Sequence, residues 1–215
     1  MTIDQHRIIR TYAEAARATH PALTRLDQLA GDGDYGDNLC AGLDAAVQAL
    51  DEMPDEPGIA TAANVFLDEV GGTSGPLLGL LLSEIARALD SASDEHAAWF
   101  LGVRDGLAAI QRVGEAEPGD RTMVDALAPA RDSLSGGASY TEVAHAALGG
   151  ARSTADIRAR QGRASYVGDR VIGAPDPGAM GVALLFFSLA TVADAEAAAG
   201  LGQPADIVPL PVGEV

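Results

Sequence analysis

The sequence predicts an all-α protein, and three observations favour that fold class. Hydrophobic residues make up 47% of the 215 residues, which is ample for a core, whereas aromatic residues make up only 4%. Alanine is frequent, and alanine favours helices while strands prefer aromatic and β-branched residues. Apolar residues also recur with a helical period nearly everywhere. At this length we expect one domain over residues 1–202 and an extended tail over residues 203–215.

The apolar period places about eight helices along the chain. The first covers residues 3–19 and ends before Pro21, because proline commonly lies just beyond a helix. Gly149 and Gly150 are expected to weaken the seventh helix, and Asp176 is expected to cap the last one. The helices that follow the first cover residues 39–50, 59–70, 77–89, 94–113, 123–134, 140–160 and 177–199.

The charge of the chain is strongly one-sided. Acidic residues number 31 and basic residues 14, so the net charge is −17, and every basic residue is an arginine. Such a surface disfavours nucleic acids and anionic membranes as partners. Cys40 is the single cysteine, which excludes an intramolecular disulfide. The first residues lack the apolar core typical of a signal peptide, and the longest apolar runs are too short to span a bilayer, so we expect a cytoplasmic protein.

Residues 27–38, D-Q-L-A-G-D-G-D-Y-G-D-N, form the most acidic stretch. Asp32, Asp34 and Asp37 stand two and three positions apart, and carboxylates that close raise one another's pKa. A hard divalent cation removes this repulsion, and the intervening glycines allow the backbone to turn the acids toward one point. The stretch therefore indicates a metal-binding loop. A solvated turn between helices is the alternative, because the same residue types are common in turns.

Two other loops have features of a phosphate site. Residues 71–76, G-G-T-S-G-P, precede an apolar helix, and the N-terminus of a helix offers unpaired N–H groups to phosphate. The hydroxyls of Thr73 and Ser74 could add hydrogen bonds, although an ordinary interhelical turn has the same composition. Residues 162–179 form a long irregular segment with Arg163 and Arg170 among its glycines, and loops of this length are uncommon unless functional. Together the loops suit phosphoryl transfer.

Two familiar motifs are excluded. Residues 31–36 match G-x-G-x-x-G, but no strand precedes them and their acids would repel a pyrophosphate. The spacing of the acids resembles an EF-hand, but Leu43 stands where that loop needs its bidentate carboxylate. A P-loop of the G-K-[ST] kind is impossible without lysine.

Four segments of the chain carry a more specific pattern. They are Asp27 with residues 31–34 and Asn38, then residues 71–76, then residues 118–125, and finally residues 162–166 through 176–179. In this order they resemble the DhaL-type domain, the nucleotide-binding L subunit of dihydroxyacetone kinase, over nearly the whole chain. The resemblance implies an antiparallel eight-helix barrel-like bundle with Mg–ADP or Mg–ATP bound at one end.

The resemblance also implies roles for individual residues. Asp27, Asp32 and Asp34 are expected to bind two Mg²⁺ ions, while Asp37 is an additional acid. Family members commonly have histidine where this chain has Tyr35, whose phenol is neutral at pH 7. The residues expected around the nucleotide are Tyr35, Gly36, Asp37 and Asn38 beside the phosphates, Thr73 and Ser74 as a phosphate-binding pair, Gly114 and Met123 at the adenine, Arg163 at the phosphates, and Gly178, Ala179 and Met180 near the last helix.

The activity implied is that of a phosphotransferase subunit. It would pass a phosphoryl group from Mg-bound nucleotide to dihydroxyacetone held on a separate K-type subunit, by metal-assisted transfer without a catalytic residue from this chain. Either exchangeable ATP or ADP re-phosphorylated by an M-type subunit could be the donor. The alternatives are a kinase subunit for another C3 or C4 keto-sugar such as erythrulose, a non-catalytic Mg-nucleotide-binding regulator, and a plain helical interaction domain.

Overall fold

The computed structural model describes residues 2–208. The all-α prediction is confirmed, because over these residues all regular elements are α-helices or 3₁₀ turns. Two of the ten α-helices in the described part, α9 (Ala195–Ala198) and α10 (Pro204–Ile207), have four residues each. The eight long helices are α1 (Gln5–Ala30), α2 (Tyr35–Glu52), α3 (Gly58–Asp68), α4 (Ser74–Ser91), α5 (Glu95–Gly114), α6 (Val124–Ser135), α7 (Tyr140–Ser153) and α8 (Pro177–Ala193).

The long helices pack in a closed ring. Each packs against the next in the chain, and α8 packs against α1 as well as α7. Residues 179–190 of α8 are all buried, since this helix is apolar on every side. In the described residues, none of the helices has the length and hydropathy to cross a membrane.

The first helix is longer than predicted. It continues through Pro21 to Ala30 instead of ending at residue 19. A proline in a helix interior costs about 3 kcal/mol, but Leu23 and Leu26 beyond it are fully buried. Each buried leucine stabilises by about 1.5–3 kcal/mol, so tertiary packing offsets the proline. As a consequence, Asp27 lies in the last turn of α1 and the loop shortens to residues 31–34.

The second helix starts four residues earlier than predicted, at Tyr35. Gly36 makes this possible, because a Cβ atom there would overlap the hydroxyl of Thr24 and lie 3.0 Å from the His20 carbonyl on α1. Helices α1 and α2 therefore approach each other closely at the acidic stretch. The residues from Tyr35 to Asn38 are helical, and they do not belong to a flexible metal loop.

The later boundaries differ in a similar way. Helix α7 passes through Gly149 and Gly150 without interruption and ends at Ser153, and α8 ends at Ala193. In place of an extended tail, residues 204–207 form α10, and its Ile207 is 1% exposed. The remainder of the predicted tail, residues 209–215, lies outside the described residues.

Candidate functional site

A cavity of about 190 Å³ opens at one end of the bundle. Helices α2, α4, α6 and α8 all begin there, and the last turn of α1 and the irregular segment 157–174 complete its walls. Each helix N-terminus carries a partial positive charge. At α2, α6 and α8 some of the first N–H groups already donate to groups of the protein, to Asp27, Thr122 and Asp176. Four such termini at one cavity favour an anionic ligand, in spite of the net charge of −17.

Most of the predicted site residues line this cavity. They are Asp27, Asp32, Asp34, Tyr35, Asn38, Thr73, Ser74, Met123, Arg163 and Gly178. They come from five separate segments, which the fold brings to one end because alternate connections of the ring meet there.

Five predicted residues are not on the lining: Gly36, Asp37, Gly114, Ala179 and Met180. The side chain of Asp37 is 71% exposed, and its Oδ1 lies 2.6 Å from Nε2 of His20 on the outer surface of the bundle. Ala179 and Met180 are fully buried in the core behind the cavity. Because a helix turns 100° per residue, the side of α2 that faces the cavity holds Tyr35 and Asn38 but not Asp37.

The three acids predicted to bind metal share the cavity but have different neighbours. Oδ2 of Asp27 accepts a hydrogen bond of 3.1 Å from the backbone N–H of Tyr35. Asp32 forms an ion pair with Arg163 across the cavity, and Asp34 precedes α2 without capping it. In residues 2–208, no three Asp, Glu, His or Cys side chains are arranged as a metal-binding group. Chemically, three carboxylates remain a donor set that suits a hard divalent cation.

The start of α4 has the geometry of a phosphate site. Thr73 occupies the N-cap position, yet no side-chain hydrogen bond caps the helix. Gly72 has a φ of +77°, a left-handed conformation that glycine adopts readily. The hydroxyls of Thr73 and Ser74 thus stand at the helix N-terminus, on the lining of the cavity.

Tyr35 lies on the cavity lining, as the resemblance implies, but its hydroxyl is directed away from the cavity toward α8. Its hydroxyl lies against α8, where a Cβ atom on Gly181 would overlap it. Tyr12 donates a hydrogen bond of 2.9 Å to the carbonyl of the same glycine. Burial raises the pKa of Tyr35 well above its usual range, so the phenol stays neutral. Tyr35 therefore forms an inner wall of the cavity, with its polar end directed at α8.

Sequence reasoning missed two charged residues on the lining, Arg121 and Asp176. Arg121 is fully buried, and its Nη2 donates to the carbonyls of Ala174 at 2.8 Å and Val171 at 3.3 Å. Asp176 caps α8 by accepting a hydrogen bond of 2.8 Å from the N–H of Ala179, as its position before Pro177 predicts. Burial raises the pKa of Asp176 to about 6, and the Arg121 guanidinium opposes that rise.

The only sequence signal for Arg121 was its place within the segment 118–125. An isolated arginine in a polar turn has the appearance of a surface residue, because arginine is almost never fully buried unless paired. Asp176 was identified as a helix cap, but the sequence does not show whether a helix cap lies on the surface or in a cavity.

Comparisons with known proteins identify the family to which this chain is similar. A family model described as the DAK2 domain matches residues 29–191. The L-erythrulose 1-kinase of Mycolicibacterium smegmatis is 36% identical over 195 residues, which cover 85% of this chain and 34% of that enzyme. The PEP-dependent dihydroxyacetone kinase 1, ADP-binding subunit DhaL, of Listeria innocua is 34% identical over 197 residues, which cover 88% of this chain and 97% of that subunit.

A solved structure is also similar. It is the dihydroxyacetone kinase from C. freundii in complex with AMP-PNP and Mg²⁺, with a TM-score of 0.66 and 26% identity over 86% of this chain. The chain spans about a third of that kinase and of the M. smegmatis enzyme, but nearly all of the Listeria subunit.

Proposed function

The chain belongs to the DAK2 domain family, and from that membership we propose that it is the nucleotide-binding subunit of a dihydroxyacetone kinase-type phosphotransferase. The observation that carries the proposal is the convergence of four helix N-termini, two hydroxyls and three carboxylates on one cavity. The similar Listeria subunit is named as ADP-binding, and the similar C. freundii kinase was solved with AMP-PNP and Mg²⁺.

In this proposal the residues on each wall of the cavity bind a different part of the Mg–nucleotide complex. Asp27, Asp32 and Asp34 would hold Mg²⁺, which when bound neutralises charge on the transferring phosphates. Thr73 and Ser74 donate hydrogen bonds to phosphate oxygens together with the N–H groups of α4. The apolar side chain of Met123, at the start of α6, offers a surface for the base.

In this proposal Arg163 pairs either with Asp32 or with the phosphates of the nucleotide. In the structure it is paired with Asp32, and its side chain is 55% exposed. When Asp32 turns to a metal ion, the guanidinium becomes available to the phosphates on the same side of the cavity. Binding of metal and binding of nucleotide are therefore coupled through this ion pair.

The acceptor in the proposal is dihydroxyacetone held on a separate K-type subunit, since the chain matches nearly the full length of a dedicated ADP-binding subunit. The Listeria relative is PEP-dependent, which favours an M-type subunit as donor over free ATP. A second candidate acceptor is erythrulose, because an L-erythrulose 1-kinase is 36% identical to this chain. Turnover of both sugars, with ATP or with a phosphorylated M-type subunit, distinguishes these cases.

Calorimetry of Mg–ADP binding tests the nucleotide site, with Asp32→Asn as the variant and Asp37→Asn as its matched control. With Mg–ADP at about 100 times its Kd, the free energy of unfolding of the wild-type protein should rise by about 2.7 kcal/mol. Asp32→Asn should weaken binding by about tenfold or more, equivalent to about 1.4 kcal/mol, because a carboxylate on the lining is lost. Asp37 lies outside the cavity, so its variant should bind normally.

Two results would contradict the proposal. The first is wild-type protein that binds neither Mg–ADP nor Mg–ATP. The second is an Asp37→Asn variant that loses as much affinity as Asp32→Asn, because the acidic stretch would then act through its total charge and not through the cavity.

A further inference from the structure

Three unfavourable features meet where the turn before α6 touches the start of α8. Arg121 has a φ of +65°, a conformation that non-glycine residues rarely adopt. Its side chain is fully buried, and in the described residues its Nε and Nη1 atoms have no hydrogen-bond partner. The facing carboxylate of Asp176 is itself only 13% exposed. Such features persist where the surrounding structure demands them, and they cluster at functional sites.

The guanidinium joins three chain segments. Its backbone belongs to the turn before α6, and its Nη2 holds the carbonyls of Val171 and Ala174, which end the segment 157–174. Its Nη1 lies 3.9 Å from Oδ2 of Asp176, the cap of α8. The segment held in this way is the one that carries Arg163.

The electrostatics of the cavity give Arg121 a distinct place. Among residues 2–208, its lining holds four carboxylates and two cations, Arg121 and Arg163. Arg163 is half-exposed on a 3₁₀ turn and is engaged by Asp32. Arg121 has no solvent contact and two backbone anchors, so it is the cation with a fixed position. Its charge offsets the buried carboxylate of Asp176 beneath the ligand.

We propose that Arg121 is a positioning residue for the nucleotide, an inference that rests on the proposed function. Through Nη2 it holds the segment 157–174, so that Arg163 faces the phosphate end of the cavity. Through its charge it holds Asp176 at the first turn of α8, beside Met123 and Gly178. Arg121 acts on the ligand through these residues without contacting it, and it fixes the shape of the cavity before the ligand binds.

The rival explanation is that Arg121 is only a structural tie between α6 and α8. Removing the charges of Arg121 and Asp176 together distinguishes the two explanations. In an Arg121→Met/Asp176→Asn double variant no uncompensated buried charge remains, so much of the stability lost in Arg121→Met should return. The carbonyls of Val171 and Ala174 still lack their donor, so the segment 157–174 stays loose and nucleotide affinity stays low.

The experiment compares Arg121→Lys, Arg121→Met and the double variant with wild type. Three quantities are measured: the Kd for Mg–ADP, the thermal midpoint, and amide hydrogen exchange in residues 157–174 without nucleotide. Arg10→Met is the matched control, because Arg10 pairs with Asp51 on the surface near the far end of α2.

We expect Arg121→Met and the double variant to bind Mg–ADP about tenfold more weakly or worse, because misplaced binding groups lose most of their contribution. Exchange in residues 157–174 should become faster in both. Arg121→Lys should lose about threefold to tenfold, since one ammonium keeps the charge but cannot lie both at the carbonyls, as Nη2 does, and beside Asp176, as Nη1 does. Arg10→Met should match wild type in affinity and in exchange.

Recovery of both affinity and stability in the double variant would overturn the inference and leave Arg121 as a structural tie. If Arg121→Met does not fold, Arg121→Lys tests the inference in its place. A Kd of Arg121→Lys for Mg–ADP equal to that of wild type would then overturn the inference. Wild-type protein that binds no Mg–ADP would refute the proposed function and this inference with it. Normal wild-type binding with unchanged affinity in the Arg121 variants refutes the inference alone.

Discussion

Tyr35 and Gly181 show how single residues set the shape of the cavity. The hydroxyl of Tyr35 occupies the space in which any side chain larger than glycine would begin on α8. Tyr12 closes the same contact from α1 by a hydrogen bond to the Gly181 carbonyl. The large side chain at position 35 is therefore matched by the absence of a side chain at position 181.

Replacing Gly181 with alanine tests this match. We expect the free energy of unfolding to fall by about 1–3 kcal/mol, because the added methyl overpacks the contact. In a Tyr35→His background the same replacement should be neutral or stabilise by up to about 1 kcal/mol, since alanine is the better helix former. Urea unfolding of the four proteins measures both values, and a destabilisation that is equal in the two backgrounds would mean that Tyr35 is not the obstacle.

Individual helices show where tertiary packing overrides local signals. Pro21 and the pair Gly149 and Gly150 are helix-breaking residues by sequence, yet α1 and α7 pass through them. In α1 the burial of the leucines beyond the proline offsets the free-energy cost of the proline. In α7 the reason differs for the two glycines: Gly150 faces the carbonyl of Asp125 on α6 so closely that a Cβ atom would overlap it, whereas Gly149 faces open space.

Alanine replacements at these adjacent positions should have opposite effects. Gly149→Ala should stabilise the protein by about 0.5–1 kcal/mol, which is the helix preference of alanine over glycine. Gly150→Ala should destabilise it by about 1–3 kcal/mol because the methyl pushes α7 away from α6. Thermal or urea unfolding measures both; destabilisation by Gly149→Ala to the same extent would show that α7 does not pack with this register.

The whole molecule is strongly acidic, but the segment 157–174, whose residues 161–164 line the cavity, is rich in arginine and partly apolar. The segment 157–174 contains four of the 14 arginines of a chain whose net charge is −17. It also exposes Tyr166 and Ile172, whose exposed fractions are 90% and 50%. In the proposed function the sugar is held by another subunit, and this segment, beside the cavity, is the surface that we propose it contacts.

Tyr166→Ser tests that contact, with Met53→Ser as its control. Met53 is also an exposed apolar residue, at 46%, but it follows the far end of α2. We expect Tyr166→Ser to reduce phosphoryl transfer to a sugar-loaded K-type subunit by about tenfold through a higher KM for that subunit, because exposed aromatic residues are frequent interface anchors. Mg–ADP affinity should not change, and Met53→Ser should act as wild type. An equal loss in both variants would place the subunit contact elsewhere.

Much of this molecule was predictable from local sequence, and the failures have physical causes. Helical period predicted the helices, and the family resemblance named Asp27, Thr73 and Ser74, which the fold brings to one cavity. Asp37, which was expected beside the phosphates, is not on the cavity lining, because two residues along α2 turn its side chain to nearly the opposite face from Tyr35. Arg121 was missed because its burial depends on the approach of α6 and α8, which lie far apart in sequence.

The sequence by itself determined the fold class, the family and the segments that surround the cavity, because helix period and short motifs depend on neighbouring residues. Only the tertiary structure decided where α1 ends, which face of α2 reaches the cavity, and which charges lie beneath the ligand. Those features depend on burial, and burial arises from contacts between segments that are distant in sequence. Burial of Leu23 and Leu26 allows α1 to continue beyond a proline, and Gly36 allows α2 to pack closely against α1. Arg121 is a buried cation because three segments meet around it.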